Sequence, residues 1–120
     1  MNIHFYSFSD GEKVDFISEY KYENDKYVFD DKTDIGTFIS FEILDNYKVN
    51  FNRFGKTITN ITFDLNKITK ASYDNNNGLA FDFNVKTKRL DIEENKIVVE
   101  YDLIIDGAVQ STIKIYLLIK

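Results

Sequence analysis

The chain has 120 residues, 20 acids against 15 bases for a net charge of −5, 43% hydrophobic and 16% aromatic residues, and no Cys or Pro. That length supports one domain, residues 1–120, with one core; the apolar content excludes disorder, and the lack of Cys excludes a disulfide framework, a thiolate metal site and a nucleophilic Cys. The acids are scattered through turns and the bases are mostly single Lys, so the clustered Lys and Arg that a nucleic-acid backbone requires are missing.

No segment repeats apolar residues at i, i+3, i+4 and i+7 over three turns, whereas alternation at period two recurs throughout. The first run, Ile3 to Phe8, is apolar on both faces and ends at Ser9-Asp10-Gly11. With the three-residue x-Asp-Gly loop argued below for the last hairpin, His4, Tyr6 and Phe8 face the core; a loop one residue longer would point Ile3 and Phe5 inward. The first geometry is favoured. In the next run Val14, Phe16, Ser18, Tyr20 and Tyr22 share the inner face, and after a four-residue turn, Glu23 to Lys26, Tyr27 and Phe29 continue it.

Asp30 to Gly36 reads as a polar, flexible loop near a barrel mouth. Thr37 to Leu44 and Tyr47 to Phe54 then form a hairpin. A two-residue Asp45-Asn46 turn would set Ile43 opposite Lys48, whereas a three-residue loop with left-handed Asn46 pairs Ile43 with Tyr47, Phe41 with Val49 and Ile39 with Phe51. In phase with Tyr47, Val49 and Phe51, the next inward residue is Arg53.

Beyond Gly55-Lys56, Ile61, Phe63 and Leu65 form an inner face, a turn falls at Asp64 to Lys67, and Ile68 to Tyr73 returns. Asp74 to Gly78 is a plain turn; an EF-hand loop starting at Asp74 would need Gly where Leu79 stands. Leu79, Phe81, Phe83 and Val85 alternate, and then the phase flips across Thr87-Lys88-Arg89 so that Leu90 and Ile92 join them, which indicates a β-bulge or a barrel corner.

The last hairpin flanks Asp106-Gly107, a strong local signal for strand reversal. Ile97, Val99, Tyr101 and Leu103 share one face, and Val109, Ile113, Ile115, Leu117 and Ile119 share another. A two-residue turn would turn these rows to opposite sides, because a one-residue slip flips every side chain. A three-residue loop, Ile105-Asp106-Gly107, pairs Leu103 with Val109, Val99 with Ile113 and Ile97 with Ile115.

Nine or ten short strands, each joined to the next by a turn and each with one apolar face, would leave that face wet in a flat sheet, so the chain should curl on itself. The fold class is therefore all-β, an antiparallel up-and-down barrel of 8 to 10 strands.

Several stretches carry a resemblance: Arg53-Phe-Gly55, the Thr59-Asn-Ile-Thr-Phe63 strand, the turn from Tyr73 to Gly78 running into Leu79 to Leu90, and Glu100-Tyr-Asp-Leu-Ile-Ile-Asp-Gly107 with the Ile/Lys alternation that follows. On these the chain resembles the YwiB-like family of uncharacterised small bacterial proteins. The likeness extends over nearly the whole chain and is best carried after about Tyr47. It implies a calycin, lipocalin-like barrel and no assigned activity.

Among candidate site residues, His4 is the only His and has no second base or Cys to complete a nucleophilic set, so it reads as a surface or core-edge residue. The inward rows hold no carboxylate for acid–base work, no metal set is apparent, and no cofactor is expected. Arg53 is the sharper case, since an inward guanidinium keeps its charge and must find partners. It either ties the open loop down through an Asp such as Asp34, or meets the anionic end of a bound small molecule. Tyr20, Tyr22, Tyr27 and Tyr47, with hydroxyls on otherwise apolar rows, would line such a pocket or fill the core. The function expected is thus non-enzymatic binding of a small amphipathic or anionic ligand; the alternative is a packed interaction module, as a monomer or homodimer. The start, Met1 to Ser7, has neither a basic nor an apolar leader region, and no run approaches the roughly 18 apolar residues of a spanning helix, so a cytoplasmic protein without a membrane partner is expected.

Overall fold

The computed structural model describes residues 1–120 as ten strands and no helix. They are β1 (Asn2–Ser9), β2 (Glu12–Glu23), β3 (Lys26–Asp30), β4 (Phe38–Asp45), β5 (Lys48–Phe54), β6 (Ile58–Asp64), β7 (Thr69–Asp74), β8 (Ala80–Glu93), β9 (Lys96–Ile105) and β10 (Ala108–Ile119). Each pairs antiparallel with its sequence neighbours, and β1 pairs with β10, which closes an up-and-down barrel. Asn2 and Lys120 exchange backbone hydrogen bonds of 3.1 and 2.9 Å at that seam.

Apolar burial drives the closure. Ile3, Phe41, Val49, Phe63, Val85, Ile97, Val99 and Leu117 are almost fully buried, each worth about 1.5–3 kcal/mol before the entropy of ordering is counted. They fill the end of the barrel where odd-numbered strands begin, hereafter the closed end. The open end carries the turns after odd-numbered strands, including residues 31–37.

The turns differ from the expected ones. Ile105 pairs with Ala108, so the last reversal has two residues, with Asp106 at φ 52° and Gly107 at φ 77°. This is type I′ geometry, whose twist matches that of the flanking strands. Gln110 is the extra residue: Val109 pairs with Ile104 but Ser111 with Leu103. The bulge restores the phase, so Ile113 faces Tyr101, Ile115 faces Val99 and Leu117 faces Ile97. Val109, expected inward beside Leu103, points out and is 57% exposed.

The β4–β5 hairpin is solved alike. Asp45 pairs with Lys48 without a left-handed Asn46, and a bulge at Leu44 brings Ile43 opposite Val49, Phe41 opposite Phe51 and Ile39 opposite Arg53. Tyr47 therefore lies in the turn and not opposite Ile43. At Asp10-Gly11 a two-residue turn, φ 49° and 80°, pairs Ser9 with Glu12 and Phe5 with Phe16. Hence Ile3 and Phe5 point inward, and His4, Tyr6 and Phe8 point out, the reverse of the favoured reading. The β2–β3 turn is Asn24-Asp25 alone, inside the four residues expected, and keeps Tyr22 opposite Tyr27. Leu65 and Leu79, expected inward, lie in turns and are exposed. The phase flip in β8 is a bulge between Thr87 and Arg89, as its sequence indicates.

Candidate functional site

Beneath the open end the packing gives way to two cavities. One, of about 250 Å³, is lined by Thr59, Tyr73, Phe81, Phe83, Leu103 and Ile105 together with Phe51, Arg53, Ile61 and Tyr101. The other, of about 230 Å³, lies toward β1 and β2 and shares Phe51, Arg53 and Tyr101 with the first. Arg53 and Tyr101 therefore stand on the partition. Alternation places them there: Arg53 follows Val49 and Phe51 on β5, and Tyr101 follows Ile97 and Val99 on β9.

Arg53 is tied to the loop after β3. Its Nε donates to Asp31 Oδ2 at 3.0 Å, Nη2 forms an ion pair with the same oxygen at 2.9 Å and donates to Asp34 Oδ2 at 3.4 Å, and Nη1 donates to Thr57 Oγ1 at 3.3 Å. Asp31 is 5% exposed, and its other oxygen accepts from the Thr33 amide and hydroxyl at 2.9 and 2.5 Å. The loop closes on itself through Asp31 N to Thr37 O at 2.9 Å and Thr37 Oγ1 to Asp34 Oδ2 at 2.9 Å. Gly55 lies against it so tightly that a Cβ there would come within 2.7 Å of Thr37 Oγ1 and 2.9 Å of the Gly36 carbonyl. The polar stretch is thus a braced cap whose charges are paired, the first of the two roles open to Arg53.

The tyrosines expected beside Arg53 are elsewhere. Tyr20, Tyr22 and Tyr27 form a cluster toward the closed end, with ring centroids 5.7 Å apart for Tyr20–Tyr27 and 4.5 Å for Tyr22–Tyr27. Tyr47, in the β4–β5 turn, lies at that end too, and none of the four lines either cavity. A hydrogen bond to Asp25 raises the pKa of Tyr22, and desolvation raises that of Tyr27. Tyr73 and Tyr101 occupy the role instead. Burial pushes the Tyr101 phenol well above its ordinary pKa, so it stays protonated and neutral.

Sequence reasoning passed over Asp31, although it continues the inward alternation of Tyr27 and Phe29 by one more step. His4 is on the outer wall, where Tyr6 Oη lies 3.0 Å from its Nδ1 and its Nε2 lies 3.5 Å from Asp15 Oδ1. Arg89 is also outside, 2.7 Å from Asp91. No three His, Cys, Asp or Glu side chains gather as a metal set.

No curated protein sequence matches the chain. Among solved structures, the barrel is similar to the crystal structure of the YwiB protein from Bacillus subtilis, with a TM-score of 0.69 and 21% sequence identity over 99% of this chain and 90% of that one. At that identity the likeness speaks for the fold. The family described as Domain of unknown function (DUF1934) matches residues 6–117. That span takes in parts of β1 and β10 and everything between them, and the chain accordingly belongs to this YwiB-like family.

Proposed function

We propose that the protein is a non-enzymatic, calycin-like binding barrel that holds a small amphipathic molecule beneath its open end. The observation that carries this reading is the cavity of about 250 Å³ beside Arg53, walled by Phe51, Tyr73, Phe81, Phe83 and Tyr101. A concave, mostly apolar site with a few convergent polar groups is the usual form of a small-ligand site. The amphipathic version is better supported than the anionic one, because Asp31 and Asp34 already offset the charge of Arg53. The sole His is on the outer wall, away from the cavity, which supports binding over catalysis. Apolar rows face inward and most charged ones outward, the reverse of a membrane-spanning barrel, in keeping with a cytoplasmic location.

The test is native mass spectrometry of the protein purified from its own host. A co-purifying small organic molecule that is lost in Phe83→Trp or Leu103→Trp, whose indoles fill the cavity, supports the reading; the mass of the bare polypeptide in the unaltered protein overturns it. A second reading, an interaction module, draws on the outward row Phe38, Phe54 and Ile58, each about 40% exposed, with the two Phe rings stacked at 5.6 Å. A dimer in sedimentation that Phe54→Lys dissolves would favour it.

A further inference from the structure

We infer that the ligand class is an uncharged molecule of about two fused aromatic rings bearing one hydroxyl or carbonyl oxygen, and that the Arg53–Asp31–Asp34 group acts as a filter against anions. This rests on the reading of the barrel as a ligand binder and narrows it.

Charge comes first. One guanidinium faces two carboxylates, with Asp31 Oδ2 at 2.9 Å and Asp34 Oδ2 at 3.4 Å. Arg53 and Asp31 are the only charged residues lining the two cavities. An entering carboxylate would have to displace Asp31, which Thr33 holds through both its amide and its hydroxyl, or sit beside a group whose net charge is already negative. Either route also strips the anion of water, a loss that only a well-placed cation offsets.

Size comes second. An apolar cavity of about 150 Å³ takes up benzene, while sites for drug-sized ligands begin near 300 Å³. At about 250 Å³ the space lies between them, which suits two fused rings. Below it Phe63, Val85 and Val99 are fully buried, so there is no tunnel for a long acyl chain. The walls are rings in contact, Tyr73 with Phe81 at 5.3 Å and Phe81 with Phe83 at 6.1 Å, and flat aromatic ligands gain from offset and edge contacts with them.

Polarity comes third. Of the five N–H groups of a guanidinium, the hydrogen bonds to Asp31, Asp34 and Thr57 occupy three, and the second Nη2 hydrogen is taken up in the ion pair with Asp31, whose Oδ2 lies 2.9 Å from Nη2. One Nη1 hydrogen is left for a ligand oxygen, a charge-assisted bond that requires no charge on the ligand. Tyr101, on the same partition, presents a neutral phenol as a second donor or acceptor.

The experiment is calorimetric titration of the full chain at neutral pH with naphthol, naphthalene and naphthoate, repeated on Asp34→Asn and on Leu103→Trp. Naphthol should bind at least tenfold more tightly than naphthoate and more tightly than naphthalene, and Leu103→Trp should abolish the signal. Asp34→Asn, at a half-exposed residue outside the cavity lining, should raise naphthoate affinity several-fold with naphthol unchanged. Naphthoate binding as well as naphthol overturns the filter and leaves the binding barrel standing. If none of the three binds, the ligand class is wrong, and the barrel reading fails with it only when the native spectrum of host-purified protein also shows the bare chain.

Discussion

Arg53 and Asp31, 22 positions apart in the chain, are joined through a single oxygen, with Asp31 Oδ2 accepting a hydrogen bond from Nε and lying 2.9 Å from Nη2. Asp31 is buried while the Arg53 side chain is 30% exposed, so the pair is half inside the protein. Removing one member of a fully buried pair costs about 3–5 kcal/mol; partial exposure of Arg53 lowers the expected cost of Arg53→Ala to about 2 kcal/mol. The double variant Arg53→Leu with Asp31→Val should lose less than the sum of its single changes, because each single change strands the partner's charge whereas the double leaves only the half-exposed Asp34. Urea unfolding of all four proteins gives the coupling, and strictly additive losses would contradict it.

Tyr101 predicts the behaviour in alkali. Its pKa is raised in the folded chain by burial, so above the unfolded value of about 10 the unfolded state gives up the proton first. The stability due to this group is complete below that pH and is lost as pH climbs toward the folded value. The slope is about 1.4 kcal/mol per pH unit. Tyr101→Phe should flatten the fall in urea midpoint between pH 10 and 11.5 relative to the unaltered protein; identical slopes would mean that the phenol is solvated.

Thr87 carries a buried hydroxyl with no hydrogen-bond partner. It points inward opposite Tyr101. An unpaired buried hydroxyl costs on the order of 1–3 kcal/mol, so Thr87→Val should raise stability by about 1 kcal/mol. A fall in melting temperature would show that the hydroxyl has a partner after all.

Gln110 sits in the bulge that separates the pairs Val109–Ile104 and Ser111–Leu103. Deleting it joins those pairs into a regular ladder without moving any residue to the other face. The deletion should therefore fold, with a loss of no more than about 2 kcal/mol from the altered curvature. Near-ultraviolet circular dichroism that has lost its aromatic bands would refute this.

These bulges mark where the sequence could be read and where it could not. Period-two alternation located nearly every inward row, and in β8 the unambiguous residues on both sides of Lys88 betrayed its bulge. Around Asp106-Gly107 the parity of the rows demanded one extra residue, but parity cannot say whether that residue sits in the turn or three places later. A three-residue loop places it in the turn; the twist of the strands places it at Gln110. The same ambiguity misplaced Asn46 and Tyr47 and turned His4, Tyr6 and Phe8 the wrong way. For the site, phase found Arg53. It gave the face of Tyr20, Tyr22 and Tyr27 correctly but not their height: even-numbered strands end at the closed end and odd-numbered ones at the open end, so the last residues of β2 and of β5 lie at opposite poles of the barrel.

The seam at Asn2 and Lys120 has a kinetic consequence. Every other pairing joins strands adjacent in sequence, so nine hairpins can form by short loop closures whose entropy grows only slowly with length. β1 and β10 alone must find each other across the whole polypeptide. Loop-closure entropy assigns the slowest step of folding to that last docking, and the half-closed sheet that precedes it presents two naked margins, the moment at which this chain is most open to pairing with a neighbour.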